Sequence, residues 1–300
     1  GSGAIRGGEP FFRYHGPDLT GLFLGDCGAL GVKLSATLQL MPRPPSIDFA
    51  SFAFPTFEAM IAAETEIGRS RLATDLLGAG NYVLPDGDAA EAKPAMHLVV
   101  EGYSARDVSD RLDRLRQIAG HQGKEIEPTV PRFLRDHPFD FLTSLLSDDG
   151  RMQAWTHGIV PFSQALHVFG AIVAFFNAEA ALIARCGIDI TISTGVMGRG
   201  VLLEPVICWR DQPRAIHLGG LGGAPEAWAG TPDEAATTAV MQLRRGLRDL
   251  FRREGAAHLQ IGKFYAYRDG LTEETDAMVK RLKHALDPQG RMNPGALGLG

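Results

Sequence analysis

Apolar and polar residues alternate through Val32, Leu34, Ala36, Leu38 and Leu40, which puts one apolar row on one face and predicts a strand. A glycine loop, Gly25-Asp26-Cys27-Gly28-Ala29-Leu30-Gly31, comes just before it, after Leu22-Phe23-Leu24. Met41-Pro42-Arg43-Pro44-Pro45 ends the strand, since proline cannot donate to a ladder, and marks a domain boundary. Ile47 to Phe54, with Ile47, Phe49 and Phe52 apolar, predicts the next strand, and Thr56 is placed to cap a helix carrying Phe57, Met60, Ile61 and Ile67. Thr74 to Leu77 reads as a short strand and Met96 to Tyr103 as a stronger one. Ser104, with Asp107 three residues on, opens a helix whose Val108, Leu112, Leu115 and Ile118 keep helical spacing, and Lys124 to Glu127 is a last short strand.

The element order is βαββαβ, the split unit of ferredoxin-like folds. After a helical insertion at about Arg132 to Leu146 the order begins again. Met152 to Val160 predicts a strand, and Ala165 to Cys186 a helix striped by Leu166, Phe169, Val173, Phe176, Ala180 and Ile183, ended by Gly187. Ile188 to Thr194 and Val201 to Trp209 are strands around a glycine turn. Thr231 is expected to cap a helix running to Glu254, with Pro232 at its first position and Asp233 and Glu234 in its first turn. The expected fold class is therefore α+β: a duplicated, ferredoxin-like antiparallel sheet with helices over residues 46–254, flanked by residues 1–45 and 255–300. The last block holds a helix from about Thr272 to Leu286 between two loops rich in glycine and proline.

Composition narrows the function classes. With 45% hydrophobic and 22% charged residues the 300-residue chain can bury a sizeable core, and 36 glycines with 18 prolines predict many ordered turns. Thirty basic against thirty-five acidic residues leave a net charge of -5, which argues against a phosphate-neutralising surface and so against nucleic acid. Three widely spaced cysteines, Cys27, Cys186 and Cys208, fit free thiols in a reducing compartment, so a cytoplasmic location is expected. No apolar run approaches the roughly 18 residues of a membrane span, and Gly1-Ser2-Gly3-Ala4 has no signal-peptide character.

Three glycines in the seven residues from Gly25 to Gly31 expose backbone N–H groups and leave room for a phosphate or a ring edge, although the same pattern also makes a simple tight connection. The run from Gly16-Pro17-Asp18-Leu19 through Gly25-Asp26-Cys27-Gly28-Ala29-Leu30-Gly31-Val32 resembles the second flavin-binding segment of the vanillyl-alcohol oxidase / p-cresol methylhydroxylase flavoproteins. Ala285-Leu286-Asp287-Pro288 through Asn293-Pro294-Gly295 resembles that family's C-terminal signature. Asp26 and Ala29 stand where the family has Ser and Thr. The resemblance implies FAD as cofactor, bound in part by Gly25, Asp26, Cys27, Gly28, Leu30, Gly31 and Val32. It also implies that residues 46–254 form a cap over the substrate, with residues 1–45 and 255–300 belonging to the FAD-binding domain. The first flavin-binding half would precede Gly1, so the chain reads as the later part of a longer flavoprotein or a separately cut fragment, inactive alone.

The family's metal-dependent hydroxyacid branch carries a histidine-rich segment where this chain has Thr194-Gly195-Val196-Met197-Gly198-Arg199-Gly200, and a Glu where Ala257 precedes His258; no metal is expected. The phenol-oxidising branch is closer around Thr194 to Met197, but its anion-binding Arg and Tyr are replaced near Gly255 to Leu259, and its cap-linked histidine falls near Leu203 or Glu204. His258 has the best claim to catalysis among the nine histidines, set against a core role, with Lys263 and Tyr265 as supporting candidates. His167 reads as packing. Lys283 would set a cation by the flavin or lie on a solvated helix face; Asn293 would fix its own turn or bond the ring. These residues suggest an FAD-dependent oxidoreductase acting on a small alcohol or aromatic, with a metal-free 2-hydroxyacid dehydrogenase or a non-catalytic scaffold subunit as alternatives. An electron-acceptor protein or oxygen and a homo-oligomer are the expected partners.

Overall fold

Thr56 and Ser104 act as the helix caps that their positions suggest, their hydroxyl oxygens accepting from the N–H groups of Ala59 and Asp107. The structure is a computed structural model describing residues 16–82, 94–138, 151–211 and 233–300. The chain divides into two compact units, Arg43–Ala257 and the combination of Gly1–Pro42 with His258–Gly300.

The larger unit contains β1 (Ser46–Ala53), α1 (Phe57–Ser70), β2 (Asp75–Tyr82), β3 (Ala95–Gly102), α2 (Ala105–Ala119), β4 (Lys124–Ile126) and α3 (Thr129–Asp136). These are followed by β5 (Arg151–Trp155), β6 (Gly158–Pro161), α4 (Ala165–Ala178), α5 (Ala180–Arg185), β7 (Asp189–Met197), β8 (Gly200–Arg210) and α6 (Glu234–Arg253). The strands form one eight-stranded sheet in the order β4-β1-β3-β2-β7-β8-β5, with β6 also on β8 and the ladders antiparallel. Alternation gives the sheet two faces. One buries Phe52, Leu76, Met96, Leu98, Ile192 and Leu203 in a common core with Met60 and Ile61 of α1, Leu112 and Leu115 of α2, Phe169 of α4 and Leu243 of α6. The opposite face carries Ser51, Leu77, His97, Val99, Leu202 and Glu204, with α3 packed against β1 and β3.

Several expectations need correction. Ile47 and Phe49 face away from the core that Phe52 enters; Ile47 is exposed, and Phe49 carries the Arg132 guanidinium over its ring at 5.9 Å. The strand expected at Met152 to Val160 is two strands, and the long helix after Ala165 is two helices parted at Glu179, whose ψ of 8° breaks the helical run. Leu166 leaves the predicted stripe for solvent, while Val168 and Ile172 are buried. The last long helix of this unit is capped by Asp233, whose carboxylate accepts from Ala236 N–H, rather than by Thr231; Thr231 and Pro232 lie outside the described residues, as do Gly1 to Ala4 and the Leu146 end of the helical insertion. Among the described residues the element after α6 that answers to β4 is a single antiparallel bridge, Ala257 to Ile159 of β6, where β4 makes a three-residue ladder with β1.

In the smaller unit the alternating run from Val32 to Leu40 is not a strand. Leu34 and Leu40 are about nine-tenths exposed, because alternation makes a strand only where a partner supplies the ladder, and none is present among the described residues. The helix α7 (Glu273–Leu286), capped by the Thr272 hydroxyl, packs with a small apolar centre of Ala29, Ala296, Leu297 and Leu299. No described helix is long and apolar enough to cross a membrane.

Candidate functional site

The glycine loop of the smaller unit is held in an uncommon conformation. Gly25, Cys27 and Gly28 have φ of 76°, 52° and 76°, the left-handed region that glycine enters freely and other residues enter at a cost. The Asp26 carboxylate fills the inside of this turn, accepting from Gly28 N–H and Leu30 N–H at 3.0 Å each and pairing with Lys33, while Ala29 N–H donates to Asp26 O. Burial pushes the Asp26 carboxyl up, but the Lys33 ammonium and the two amides outweigh it and hold the group below its ordinary value. The amides of Gly28, Ala29 and Leu30, expected to meet a phosphate, are therefore already engaged. The open side of the loop is at Gly25, where an added Cβ would meet nothing within 4 Å. Gly31 lacks the left-handed φ and its Cβ would rest 3.6 Å from the Phe23 ring. Gly31→Ala is accordingly expected to change the free energy of unfolding by no more than about 0.5 kcal/mol, checked by urea titration.

The loop is clamped to the C-terminal turns. Lys283 does not lie on a solvated helix face: it is buried, and its ammonium donates to Ala29 O at 2.8 Å, Asp287 Oδ2 at 2.6 Å and Met292 O at 2.8 Å. All three of its protons are used, so it offers no spare cation to a ligand. Asp287 in turn accepts from the N–H groups of Arg291 and Met292, and Lys283 with these amides brings its carboxyl down to about 2. Asn293, at φ 38°, donates from Nδ2 to Cys27 O at 2.6 Å, and Cys27 Sγ accepts from Gly262 N–H at 3.2 Å. Val32 is exposed. Arg268 forms a bidentate pair with Asp276 (2.6 and 3.0 Å) and also reaches Gly298 O, tying α7 to the last turn. The Lys283–Asp287 and Arg268–Asp276 pairs were not singled out from sequence; the i,i+4 spacing of the first was the available signal.

His258 and Tyr265 come together, their rings stacked with centroids 3.9 Å apart and planes at 21°, with Phe264 edge-on to Tyr265. Tyr265 is buried and His258 partly so, whereas Lys263 is exposed, its stem 3.9 Å from where a Cβ on Gly295 would stand.

In the larger unit, His97 and Ser51 are directly opposed on β3 and β1, and Nδ1 lies 2.8 Å from the hydroxyl. Burial pushes His97 below its ordinary value, so the imidazole is neutral at pH 7. His157 Nδ1 stands 3.7 Å from Glu204, whose carboxyl burial pushes up. His167 pairs with Glu254 at the surface. Among the described residues no three His, Cys, Asp or Glu side chains are grouped to hold a metal ion.

Comparison with known proteins fits this geometry. Residues 262–297 match the model of the FAD linked oxidases, C-terminal domain. The chain is similar to 4-ethylphenol oxidase from Gulosibacter chungangensis in its isoeugenol complex, at 14% identity and a TM-score of 0.68, covering 100% of this chain and 62% of that one. It is also similar to an alkyldihydroxyacetonephosphate synthase, at 13% identity and a TM-score of 0.55, covering 89% of this chain and 48% of that one. At such identities the likeness is one of fold, a mixed helical and antiparallel-sheet architecture, and the chain spans about half the length of the synthase. The matched residues include Lys283, Asp287 and Asn293, the groups that clamp the glycine loop. The resemblance to vanillyl-alcohol oxidase-like flavoproteins thus holds over residues 262–297, which match the C-terminal domain of FAD linked oxidases, and FAD is the cofactor that goes with that domain.

Proposed function

We propose that the chain is the C-terminal part of an FAD-dependent oxidoreductase that oxidises a small alcohol or aromatic substrate. On this reading the described part of Gly1–Pro42 with His258–Gly300 is its share of the FAD-binding domain, and Arg43–Ala257 is a ferredoxin-like, duplicated substrate domain. The observation carrying the reading is the clamp: Lys283 and Asn293 of the matched segment bond the backbone of Ala29 and Cys27 in the loop that resembles the other flavin-binding segment. Two segments about 250 residues apart in sequence make one rigid surface.

That surface fits FAD in part. With the amides of Gly28, Ala29 and Leu30 turned to Asp26, and a carboxylate inside the loop, the diphosphate has no cradle there; the open Gly25 side suits an uncharged part of FAD, its ribose or ring edge. Bound FAD would supply the hydride acceptor. His258, held flat by the Tyr265 ring, is the group proposed to accept the substrate's proton, and Lys263 to add positive charge nearby. Oxygen or a protein electron acceptor and a homo-oligomeric state belong to the same proposal.

Purification of the full-length protein, with the flavin-binding half that the resemblance places ahead of this chain, and its visible absorbance recorded, tests the cofactor, and anaerobic bleaching by alcohols and phenols tests the reaction. Full-length protein that neither retains nor takes up FAD would refute the reading. His258→Ala is expected to keep its flavin and lose roughly 10²–10⁴-fold in kcat; unchanged kcat would return His258 to a purely packing role.

A further inference from the structure

A groove of about 560 Å³ lies on the larger unit where β2, β3, β7 and β8 meet α3, within the range of small-molecule sites. Leu77, Val99 and Leu202 give it an apolar lining, and His97 supplies a neutral imidazole whose Nδ1 is already engaged by Ser51, leaving Nε2 as the second ring nitrogen. Arg135 also borders the groove, but its guanidinium is paired with Glu101, and Asp75 adds a second carboxylate to the lining. One cation against two carboxylates disfavours an anion, and the second carboxylate, Asp75, is solvent-exposed and already accepts from Leu76 N–H, so a cation would gain little from it. We infer that this groove is a binding site for an uncharged, mostly apolar small molecule with a single hydroxyl or carbonyl, held by a hydrogen bond to His97, and that the Glu101–Arg135 pair excludes carboxylates from it. The inference builds on the proposed role of residues 43–257 as substrate domain and names the substrate class; within that reading it favours an alcohol over a 2-hydroxy acid.

Desolvation decides between the two ligand classes. A carboxylate entering an apolar groove loses hydration that only an available cation repays, and Glu101 already holds the one at hand. A hydroxyl loses far less and recovers it in one bond to imidazole.

The test uses the whole chain and two probes of one shape, benzyl alcohol and benzoate, with binding followed by calorimetry and by the imidazole NMR signal of His97 at neutral pH. Benzyl alcohol is expected to bind saturably and shift that signal, with benzoate at least roughly tenfold weaker. His97→Phe, which fills the space without the polar atoms, and His97→Gln, which restores a hydrogen bond, should lower and largely recover alcohol affinity, the loss being roughly tenfold. Glu101→Gln should free Arg135 and raise benzoate affinity by more than it changes that of the alcohol. Absence of saturable alcohol binding, equal affinity for both probes in the wild type, or indifference to His97→Phe would each overturn the inference. Binding of this kind in a protein without flavin would leave the groove standing and remove the redox reading, whereas flavin-dependent turnover without it would do the reverse.

Discussion

Raising the pH from about 5 to above 8 is expected to destabilise the larger unit by a few kcal/mol through one residue, Glu64. Glu64 sits on the core-facing side of α1 with no solvent exposure. Its Oε1 accepts from the Thr194 hydroxyl at 2.6 Å, while Oε2 has no hydrogen-bond partner among the described residues. Gly78 on β2 makes room for both groups: a Cβ there would fall 2.1 Å from the carboxyl oxygen and 2.2 Å from the hydroxyl. Burial raises the Glu64 carboxyl from its ordinary 4.5 to about 8, against the smaller opposing effect of the Thr194 hydrogen bond. Between those values the folded chain keeps a proton that the unfolded chain releases. The stabilisation is therefore whole below pH 4.5 and is lost as pH rises through 8. Glu64→Gln has the same shape and no titration, so urea midpoints measured across this range should fall with pH in the wild type and stay level, as far as this residue is concerned, in the variant. The variant trades one buried orphan for another, a cost of about 1–3 kcal/mol in acid, so the two curves should converge or cross toward pH 8. A variant with the same pH slope as the wild type would show that Glu64 ionises without penalty, and the buried acid would lose its role.

Glu64 also shows where sequence reasoning stopped short. Met60, Ile61 and Ile67 define the apolar stripe of α1, and position 64 falls on it at helical spacing, so a buried acid was open to inference from periodicity alone. The same holds for His97, a polar residue in an otherwise apolar strand centre. Helices and strands of the larger unit were legible because their caps and alternation are local: Thr56, Ser104 and the stripe of Val108, Leu112, Leu115 and Ile118 fold as their spacing suggests. The failures were of two physical kinds. Val32 to Leu40 has the alternation of a strand but no ladder partner among the described residues, and alternation cannot report whether a partner is there. The glycine loop reads as a set of open amides from its glycines alone, whereas the Asp26 carboxylate, two and four residues before Gly28 and Leu30, bonds their amides itself.

The largest effect on the candidate flavin surface is expected from Lys283→Met. Methionine keeps the unbranched apolar stem of lysine as far as Cε, so the change removes the ammonium and little else. Three acceptors lose their donor at once: Ala29 O in the loop, Met292 O in the terminal turn, and the Asp287 carboxylate between them. Asp287 is left buried with a charge that only the Arg291 and Met292 amides offset, and a buried ion stripped of its partner is costlier than a pair never made. Loop and turn then stay joined mainly by Asn293 to Cys27 and Gly262 to Cys27. The strained residues on the two sides of the clamp, Cys27 of the loop at φ 52° and Asn293 of the turn at φ 38°, persist only while such contacts over-determine them. Limited proteolysis should therefore cut near residues 25–31 at least tenfold faster in Lys283→Met, with residues 43–257 keeping their wild-type protection because they form a separate unit. Lys283→Met with Asp287→Asn removes the stranded charge and should recover part of the lost protection, since the pair and its absence are both cheaper than half of it. If the single variant resists cleavage as the wild type does, the Lys283 clamp is dispensable, and the rigid surface that underlies the flavin assignment has to be sought in other contacts.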